Sequence, residues 1–393
     1  MKKNEQMIKR NTEPNVALFV DDFLPYTHAW IYRQVADPVT CVKTVLCLKR
    51  SEEIRFPFLR HVVGIGKGRL KEYIRGRFWF LFKYRAQTLS KSVEAGFERE
   101  LMTQEINLVH AHFGTNGVLI APLCERLGIP LIVTFHGFDI SSAPLRWPAY
   151  YKKLQLLFKQ ITYAIAISEE MAVRLKVLGC PEHKIKISYL GVPLSEFVFV
   201  ERTTHAKPLV FLHAGRLTAK KGVPDLVSAF AQAFREEGNA ELWIAGDGEE
   251  LEKVHEAIRL SKPVCKVKLL GRLSDDDLQE VRSLADVFVI NCRVDSAGTQ
   301  EGLPISILEA CATGMPVITT RHAGIPEAVK QNETGILVDE LDNEALAAAM
   351  KKMQESDFRL TLGRQAREYM TEKFALLTCN EKLRLLYDMA LTH

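Results

Sequence analysis

Residues 209–234 read LVFLHAGRLTAKKGVPDLVSAFAQAF, and this stretch decides the fold. A β-rich apolar run, Leu209–His213, precedes Gly215, and a helical pattern continues from Val223 to Phe234. A short buried strand, a glycine turn and a helix form the repeating unit of a parallel sheet that is covered on both faces. The stretch therefore predicts an α/β protein if the same unit recurs elsewhere.

The alternation of β-rich runs and helical patterns does extend along most of the chain. The runs are Val16–Val20, Val42–Leu48, Leu108–His110, Pro130–Phe135, Tyr163–Ile167, Lys184–Ser188, Leu209–His213, Glu241–Ala245, Val267–Leu270, Val287–Ile290, Pro316–Thr319 and Gly335–Val338. Two such series predict two doubly wound domains, with the polar stretch Pro193–Pro208 as the boundary. Ligands bind at the carboxyl ends of the strands in such folds, so two facing domains should form a cleft.

Composition narrows the class of protein. The chain has 393 residues, 47% of them apolar, which is enough for two domains. A net charge of +4 is too small to predict a nucleic-acid partner. The eight cysteines include no C-x-x-C pair, so reduced thiols and a cytoplasmic location are expected. The first fifteen residues lack an apolar signal-peptide core, and no apolar run reaches 18 residues, so no membrane span is predicted.

Two cations follow the strand that opens the second series. Arg216 and Lys221 lie five residues apart around the predicted strand–helix turn. The planar fork of an arginine and the compact charge of a lysine could together bind a diphosphate and neutralise it as a leaving group. An exposed loop with ordinary lysines is the alternative, and Lys220 is the likelier of the two lysines to face solvent.

Residues 301–309 read EGLPISILE and place two glutamates around a predicted helix start. Pro304 fits the first helical position, where its missing N–H is no loss. The unpaired N–H groups and the positive end of the helix dipole would then hold an anion such as a phosphate. Glu301 and Glu309 could accept hydrogen bonds from hydroxyl groups on either side of that phosphate. This arrangement suits a nucleotide sugar.

Three further strand ends in the second half carry weaker signals. Residues 246–248 could allow a nucleotide to approach the backbone, or could simply begin a helix. Residues 272–273 could hydrogen-bond a base, or could form an ordinary βα loop. Asp275–Asp277 has the D-x-D spacing of a divalent-ion site, but Ser274 before it favours a capped helix N-terminus.

In the first half, polar residues follow two predicted strands. His136 ends the run Pro130–Phe135 and could contact a sugar hydroxyl or a developing charge, although a structural histidine is the alternative. His112, Thr115 and Asn116 follow another strand and suit either acceptor binding or helix capping.

Residues 55–91 contain ten lysines and arginines against Glu72 alone, with an aromatic cluster at Phe78–Phe82. Basic residues around aromatic rings are typical of a segment that binds an anionic membrane surface. A core helix with a solvated basic face is the alternative.

Taken in order, these motifs resemble the retaining glycosyltransferases of family GT4, which have the GT-B fold, along nearly the whole chain. The residues that carry the resemblance are Gly215-Arg216, Lys221-Gly222, Gly246-Asp247-Gly248, Val267, Gly271, Glu301, Glu309, Gly314, Gly324, Glu327, Ala166-Ile167-Ser168 and Tyr189–Pro193. Residues 110–139 and 23–32 also look similar to the transferases that build exopolysaccharides of the colanic acid or amylovoran type.

The resemblance implies two Rossmann-like domains facing across a cleft. Residues 1–195 would bind the acceptor, residues 196–372 the nucleotide sugar, and residues 373–393 would form a helix that packs back on the first domain. The final helical stretch is expected over Leu360–Leu391. The resemblance implies that no metal is needed. It also implies no cofactor, because the nucleotide-diphosphate sugar is a co-substrate.

The resemblance also implies roles for individual residues. His136, Arg216, Lys221 and Glu301 would take part in catalysis, with front-face attack in which the leaving phosphate accepts the proton of the acceptor. The donor would be bound by Gly215, Arg216, Lys221, Gly246, Arg272, Leu273, Glu301, Gly302, Leu303, Pro304, Ile305 and Glu309. Many relatives have a glycine-rich loop after the first strand, whereas residues 21–28 here contain no glycine. This leaves Thr27 and His28 as candidates for a phosphate contact.

The expected function is transfer of a sugar from a nucleotide-diphosphate sugar to a glycan, lipid-linked in the preferred interpretation, during surface-polysaccharide synthesis. The expected location is the cytoplasm, peripherally on the inner face of the plasma membrane. A GT-B-fold epimerase or hydrolase is one alternative and would act on the donor alone. A non-catalytic subunit that binds nucleotide sugar is another, and would bind without turnover.

Overall fold

A computed structural model describes residues 13–23, 29–51, 61–63, 88–202, 208–236 and 238–392. The strands in these ranges form two parallel sheets. The first sheet contains β1 (Val16–Phe23), β2 (Val42–Arg50), β3 (His61–Val63), β4 (Leu108–His112), β5 (Leu131–Phe135), β6 (Tyr163–Ala166) and β7 (Ile185–Ile187). The second contains β8 (Leu209–Ala214), β9 (Ala240–Ala245), β10 (Lys266–Gly271), β11 (Val287–Ile290), β12 (Val317–Thr320) and β13 (Gly335–Val338).

Helices connect the parallel strands. They are α1 (Ala29–Ala36), α2 (Lys91–Thr103), α3 (Gly114–Leu127), α4 (Ser142–Arg146), α5 (Pro148–Gln160), α6 (Glu169–Val177), α7 (Val223–Ala233), α8 (Leu251–Ser261), α9 (Asp275–Leu284), α10 (Ile305–Ala312), α11 (Ile325–Ala328), α12 (Asn343–Lys352), α13 (Ser356–Lys373) and α14 (Leu376–Leu391). Within the described ranges, no helix is long and apolar enough to cross a bilayer.

Both sheets reverse their strand order near the middle. The order is β3-β2-β1-β4-β5-β6-β7 in the first sheet and β10-β9-β8-β11-β12-β13 in the second. The reversal points, β1/β4 and β8/β11, are where a doubly wound sheet opens a crevice at its carboxyl edge. The predicted architecture is therefore confirmed, and each predicted β-rich run contains a strand. Among the strands in the described ranges, only the short edge strand β3 was not predicted, because three residues give too little pattern to detect.

The burial of the strands explains why the sequence predicted them as apolar runs. Strands β1, β4, β5 and β11 are buried along most of their length, since helices cover both faces of each sheet. One apolar cluster contains Phe135 and Ile167 from the first half together with Leu303 and Ile307 from the second. The two halves therefore share apolar contacts.

The last helices return to the first sheet. The Asn380 amide donates to Asp37 Oδ2 at 2.8 Å, and the Tyr387 hydroxyl lies 2.7 Å from His110 Nδ1. The single helical stretch expected over Leu360–Leu391 is instead two helices, α13 and α14. The break occurs because Val192 N–H donates to Phe374 O at 2.9 Å, and Leu376 N–H donates back to Val192 O at 2.9 Å.

Candidate active site

Three glycines end neighbouring strands of the second sheet. Gly215 N–H donates to Ala245 O at 3.0 Å, and Gly246 N–H donates to Gly271 O at 2.7 Å. Gly246 has a φ of +150°, and a Cβ there would lie 1.9 Å from Gly215 O. Only glycine fits such a close approach of two main chains. The main chains at the carboxyl ends of β8 and β9 therefore pack directly against each other.

Lys220 and Lys221 lie together in a single 3₁₀ turn, Ala219–Lys221, between β8 and α7. Both Nζ atoms are 3.0 Å from Glu301 Oε1. Lys220 is the more exposed of the two lysines, at 16% against 11% for Lys221, but both side chains are directed to the same buried carboxylate. A buried carboxylate is costly unless it is well paired, and both long stems can reach the same oxygen.

Gly222 ends this 3₁₀ turn and fixes its position against Asn291. Its φ of +57° begins α7, and a Cβ there would lie 2.4 Å from Asn291 O. Arg293 holds the same turn from the side, with its Nε donating to Ala219 O at 3.2 Å and its N–H to Lys220 O at 2.9 Å. The position of both lysines therefore follows from rigid backbone contacts.

The pairing keeps Glu301 ionised. Burial alone would raise the pKa of this carboxyl, but Lys221 and Lys220 outweigh it and lower the pKa to about 2. Burial would lower the pKa of Lys221, but the charge of Glu301 reverses this and the pKa is raised. At neutral pH the cluster therefore consists of two ammonium groups around one carboxylate.

Arg216 and Arg272 follow strands β8 and β10 and are exposed, while Leu273 is half-buried. Burial and the charge of Arg216 act against the pairing of Lys221 with Glu301, but the pKa of Lys221 is still raised. The structure therefore pairs Lys221 with Glu301 and places Arg216 at the same carboxyl edge. Arg272 and Leu273 lie further along the same carboxyl edge.

The segment Gly302–Ile305 runs against the first half of the molecule. A Cβ at Gly302 would lie 2.8 Å from Met171 Sδ and 3.1 Å from His136 O. Leu303 is buried, and Pro304 is the cap residue just before α10 rather than its first helical residue. The expected position of Pro304 is therefore wrong by one residue. Helix α10 still begins at the cleft.

Glu309 lies between two arginines that the sequence did not single out. Arg33 Nη1 of α1 is 3.1 Å from Glu309 Oε1, and Arg282 of α9 pairs with Oε2. The guanidinium carbons of Arg33 and Arg282 lie 5.1 Å and 5.3 Å from the ring centre of Phe197, and Arg33 also pairs with Glu196 at 2.8 Å. This cluster joins the two halves at the residues where they meet in sequence.

His136 is surrounded by rings at the end of β5. The ring centres of Trp30 and Phe113 both lie 4.5 Å from that of His136, and His136 Nε2 is 3.0 Å from His112 Nδ1. Trp30 was not predicted, because an isolated tryptophan in a short helix carries no local signal for this contact.

The three residues predicted to bind the acceptor are buried. His112 and Asn116 have almost no exposed surface, and Thr115 is 9% exposed. The Asn116 amide donates to His112 O at 2.9 Å and to Asp21 Oδ1 at 3.1 Å. These contacts tie the start of α3 to the end of β4, but they do not cap the helix, since its cap residue is Phe113 and makes no side-chain capping bond. Direct acceptor binding by these residues stays a prediction.

Asp139 organises the same corner. Its carboxylate accepts N–H groups from Gly114 at 2.7 Å and from His136 and Gly137 at 3.0 Å. Burial raises the pKa of Asp139 to about 6, even though these hydrogen bonds favour the charged form. The carboxylate therefore ties the end of β5 to the start of α3 and fixes the main chain of His136.

The acidic run after β10 forms a helix cap, as predicted. Ser274 Oγ accepts Asp277 N–H at 3.1 Å and donates to Asp277 Oδ2 at 2.6 Å. In the part of the chain that the structure describes, no three His, Cys, Asp or Glu side chains cluster as metal ligands. Two other predictions fall largely outside the described ranges: Thr27 and His28, and all of residues 55–91 except 61–63 and 88–91.

Comparisons with known proteins identify the family. Residues 44–196 match the family model Glycosyltransferase Family 4, and residues 196–372 match Glycosyl transferases group 1. A glycosyltransferase assigned to colanic acid biosynthesis in Salmonella typhimurium is 32% identical over 70% of this chain and 68% of its own length. The amylovoran biosynthesis glycosyltransferase AmsK of Erwinia amylovora is 31% identical over 63% of this chain and 61% of its own.

The solved structures give the fold. Anabaena HepE in complex with UDP-glucose superposes with a TM-score of 0.75 over 95% of this chain and 99% of its own, at 18% identity. The present chain matches both family models and the Salmonella typhimurium glycosyltransferase at 32% identity, and its two sheets have the GT-B arrangement. The protein therefore belongs to the family 4, group 1 glycosyltransferases and is a glycosyltransferase of GT-B fold.

Proposed function

We propose that the protein is a retaining glycosyltransferase that moves a sugar from a nucleotide-diphosphate sugar onto a glycan acceptor in exopolysaccharide or other surface-polysaccharide synthesis. One observation carries the proposal: Arg216, Lys220, Lys221 and Glu301 meet at the carboxyl edge of the second sheet, beside the main chain of His136. Cations at this edge can stabilise the charge that develops on a departing diphosphate.

Glu301 would act as an acceptor of hydrogen bonds from the transferred sugar. With a pKa of about 2 it stays ionised at neutral pH and cannot serve as a general acid. Its two lysines suit front-face attack, in which the leaving phosphate takes the proton of the incoming hydroxyl. Glu309 would bind the ribose hydroxyls of the donor.

The nature of donor and acceptor is inferred from relatives. HepE binds UDP-glucose, and two relatives are named for the synthesis of colanic acid and amylovoran. A lipid-linked glycan is the acceptor that we propose for the present chain. The reaction should need no metal, because the acidic run that most resembles a metal site forms a helix cap.

Thermal shift with a panel of UDP-, GDP- and ADP-sugars is the first test, since a ligand that binds the folded state raises its apparent stability. The stabilising donor, labelled in its sugar, is then incubated with lipid-linked oligosaccharides, with and without EDTA. Label should enter the lipid fraction in both cases. NMR of the product should show the anomeric configuration of the donor.

The alternatives give different outcomes in the same assay. Equal consumption of donor with and without acceptor would favour an epimerase or hydrolase. Binding of donor without any turnover would favour a non-catalytic subunit. Inversion at the anomeric carbon would contradict the proposed mechanism, and loss of transfer in EDTA would contradict its metal independence.

Residues 55–91 carry a separate proposal, attachment to the inner face of the plasma membrane. Their basic and aromatic composition supports it. The protein should pellet with vesicles that contain anionic lipid, and it should be released by salt. Arg75→Gln with Arg77→Gln should weaken the pelleting, and unchanged pelleting would contradict the proposal.

A further inference from the structure

Residues 294–301 connect the region after β11 to Glu301, and one pair of side chains holds both ends of this segment. At the first end, Val294 N–H donates to Glu340 Oε2 at 2.9 Å. At the other end, Glu301 N–H donates to His322 Nε2 at 3.1 Å. His322 Nδ1 and Glu340 Oε1 are 2.7 Å apart, so the two contacts belong to one connected network.

The network determines the protonation of His322. A main-chain N–H can only donate, so Nε2 of His322 must accept and carries no proton. Nδ1 then holds the proton and donates it to the Glu340 carboxylate, as in other sites where a carboxylate selects the tautomer of a histidine. The imidazole is 1% exposed, and both of its nitrogens are used in these two contacts.

The anchor for this pair is the second sheet. His322 follows β12 and Glu340 follows β13, which are neighbouring parallel strands with Thr320 paired to Val338. Their side chains therefore leave the same carboxyl edge, at positions fixed by the strand register. A loop bound to this edge takes its position from the sheet rather than from its own conformation.

The segment is also closed internally. Asp295 Oδ1 accepts the N–H groups of Ala297 at 2.9 Å and Thr299 at 2.8 Å, and Asp295 N–H donates to Thr299 O at 3.1 Å. Such a turn moves as a unit, so its two attached ends decide where it lies. Beyond it, the Glu301 carboxylate is held by Lys220 and Lys221. Glu301 is thus held twice, by lysines at its side chain and by His322 at its main chain.

We propose that His322, oriented by Glu340, is a positioning residue that places Glu301 for sugar transfer by accepting its main-chain N–H. This inference rests on the proposed function, because the role of Glu301 does. Reacting groups need placement to well within 1 Å, and a misplacement of about that size can cost about a hundredfold in rate. Without His322, the Glu301 N–H would lose its acceptor, and Gly324 N–H donating to Gly302 O at 3.0 Å would remain as the next main-chain contact.

Two substitutions of similar polarity separate the two contacts of His322. In His322→Gln, the side-chain oxygen can reach the position of Nε2 and accept the Glu301 N–H, whereas in His322→Asn the amide reaches only the position of Nδ1, towards Glu340. We expect kcat to fall about tenfold to a hundredfold in His322→Asn and His322→Ala, and by no more than about threefold in His322→Gln. The Kd for UDP or GDP, whichever raises the melting temperature of the wild type, should stay within about threefold in all variants.

Hydrogen–deuterium exchange of the peptide that contains Glu301 provides a readout independent of catalysis. Exchange at the Glu301 amide should be roughly tenfold faster in His322→Asn and His322→Ala, and close to the wild-type rate in His322→Gln. Melting temperatures show which variants are folded. If His322 had only a general structural role, His322→Asn and His322→Gln would change kcat and the exchange rate to the same extent. That result would overturn the proposal.

The same design separates this inference from the proposed function. If the wild type transfers no sugar while exchange still distinguishes Asn from Gln, the positioning contact stands and the proposed function fails. If the wild type is active and the Asn and Gln variants have equal kcat, the proposed function stands and the positioning role fails.

Discussion

Glu301 and Glu309 belong to one short segment, yet cations from different parts of the chain hold them. Glu301 is bound by Lys220 and Lys221 of its own sheet, whereas Glu309 is bound by Arg282 and also by Arg33 from the first half of the molecule. The first pairing is complete within one half. The second depends on how the two halves meet. We therefore infer that Glu301 serves the chemical step and that Glu309 is sensitive to opening and closing of the cleft.

The largest expected effect separates the two carboxylates directly. Glu301→Gln removes the charge that faces both lysines and should lower kcat by about a hundredfold to a thousandfold, with little change in nucleotide Kd. Glu309→Gln should act mainly on nucleotide Kd. Steady-state kinetics with a competent acceptor, together with calorimetry for the free nucleotide, measures both. Equal effects of the two substitutions on kcat would remove the distinction.

The next effect separates the two lysines. Lys221→Ala removes the more buried cation and should weaken both nucleotide binding and turnover, by about a hundredfold in kcat/KM. Lys220→Ala is the matched control, because it removes an equidistant partner of the same oxygen. A larger loss for Lys220→Ala, measured in the same transfer assay, would reverse the assignment that we make to the two residues.

Arg33 tests the contact between the halves. Arg33→Ala frees one oxygen of Glu309 but leaves Arg282 in place, so we expect a change of severalfold in donor KM and little change in kcat. Arg33→Lys keeps a positive charge but cannot pair with Glu196 and Glu309 through one planar group. The donor KM of Arg33→Lys should lie between those of Arg33→Ala and the wild type. A large fall in kcat for Arg33→Ala would show that this contact also governs the chemical step.

The smallest effect concerns pH and stability. An unfolded glutamate has a pKa of about 4.3, whereas the pKa of folded Glu301 is about 2. The pairing with the lysines therefore stabilises the fold above about pH 4.3, and this contribution is lost as the pH falls towards about 2. The free energy of urea unfolding of the wild type relative to Glu301→Gln should decrease over that window. A difference that stays constant between pH 6 and pH 3 would contradict the assigned pairing.

The sequence by itself determined the two parallel sheets and placed Arg216 and Lys221 at the carboxyl edge of the second sheet. Parallel strands buried on both faces read as apolar runs, and at Gly246 a glycine is required because a Cβ there would lie 1.9 Å from Gly215 O. The link between Arg216, Lys221 and Glu301 could be inferred for the same reason, since carboxyl ends of parallel strands share one edge. The helix cap at Ser274 follows from local hydrogen bonding alone.

Only the tertiary structure decided which partners the site residues have. Arg33 meets Glu309 across 276 positions of sequence, the Trp30 ring packs 4.5 Å from that of His136, and His322 reaches Glu301 from a neighbouring strand end. Lys220 looked like a solvent lysine because nothing nearby in sequence required a second cation. These contacts have no periodic or local signature, because they depend on how two separately folded sheets pack and on which buried charges then need a partner.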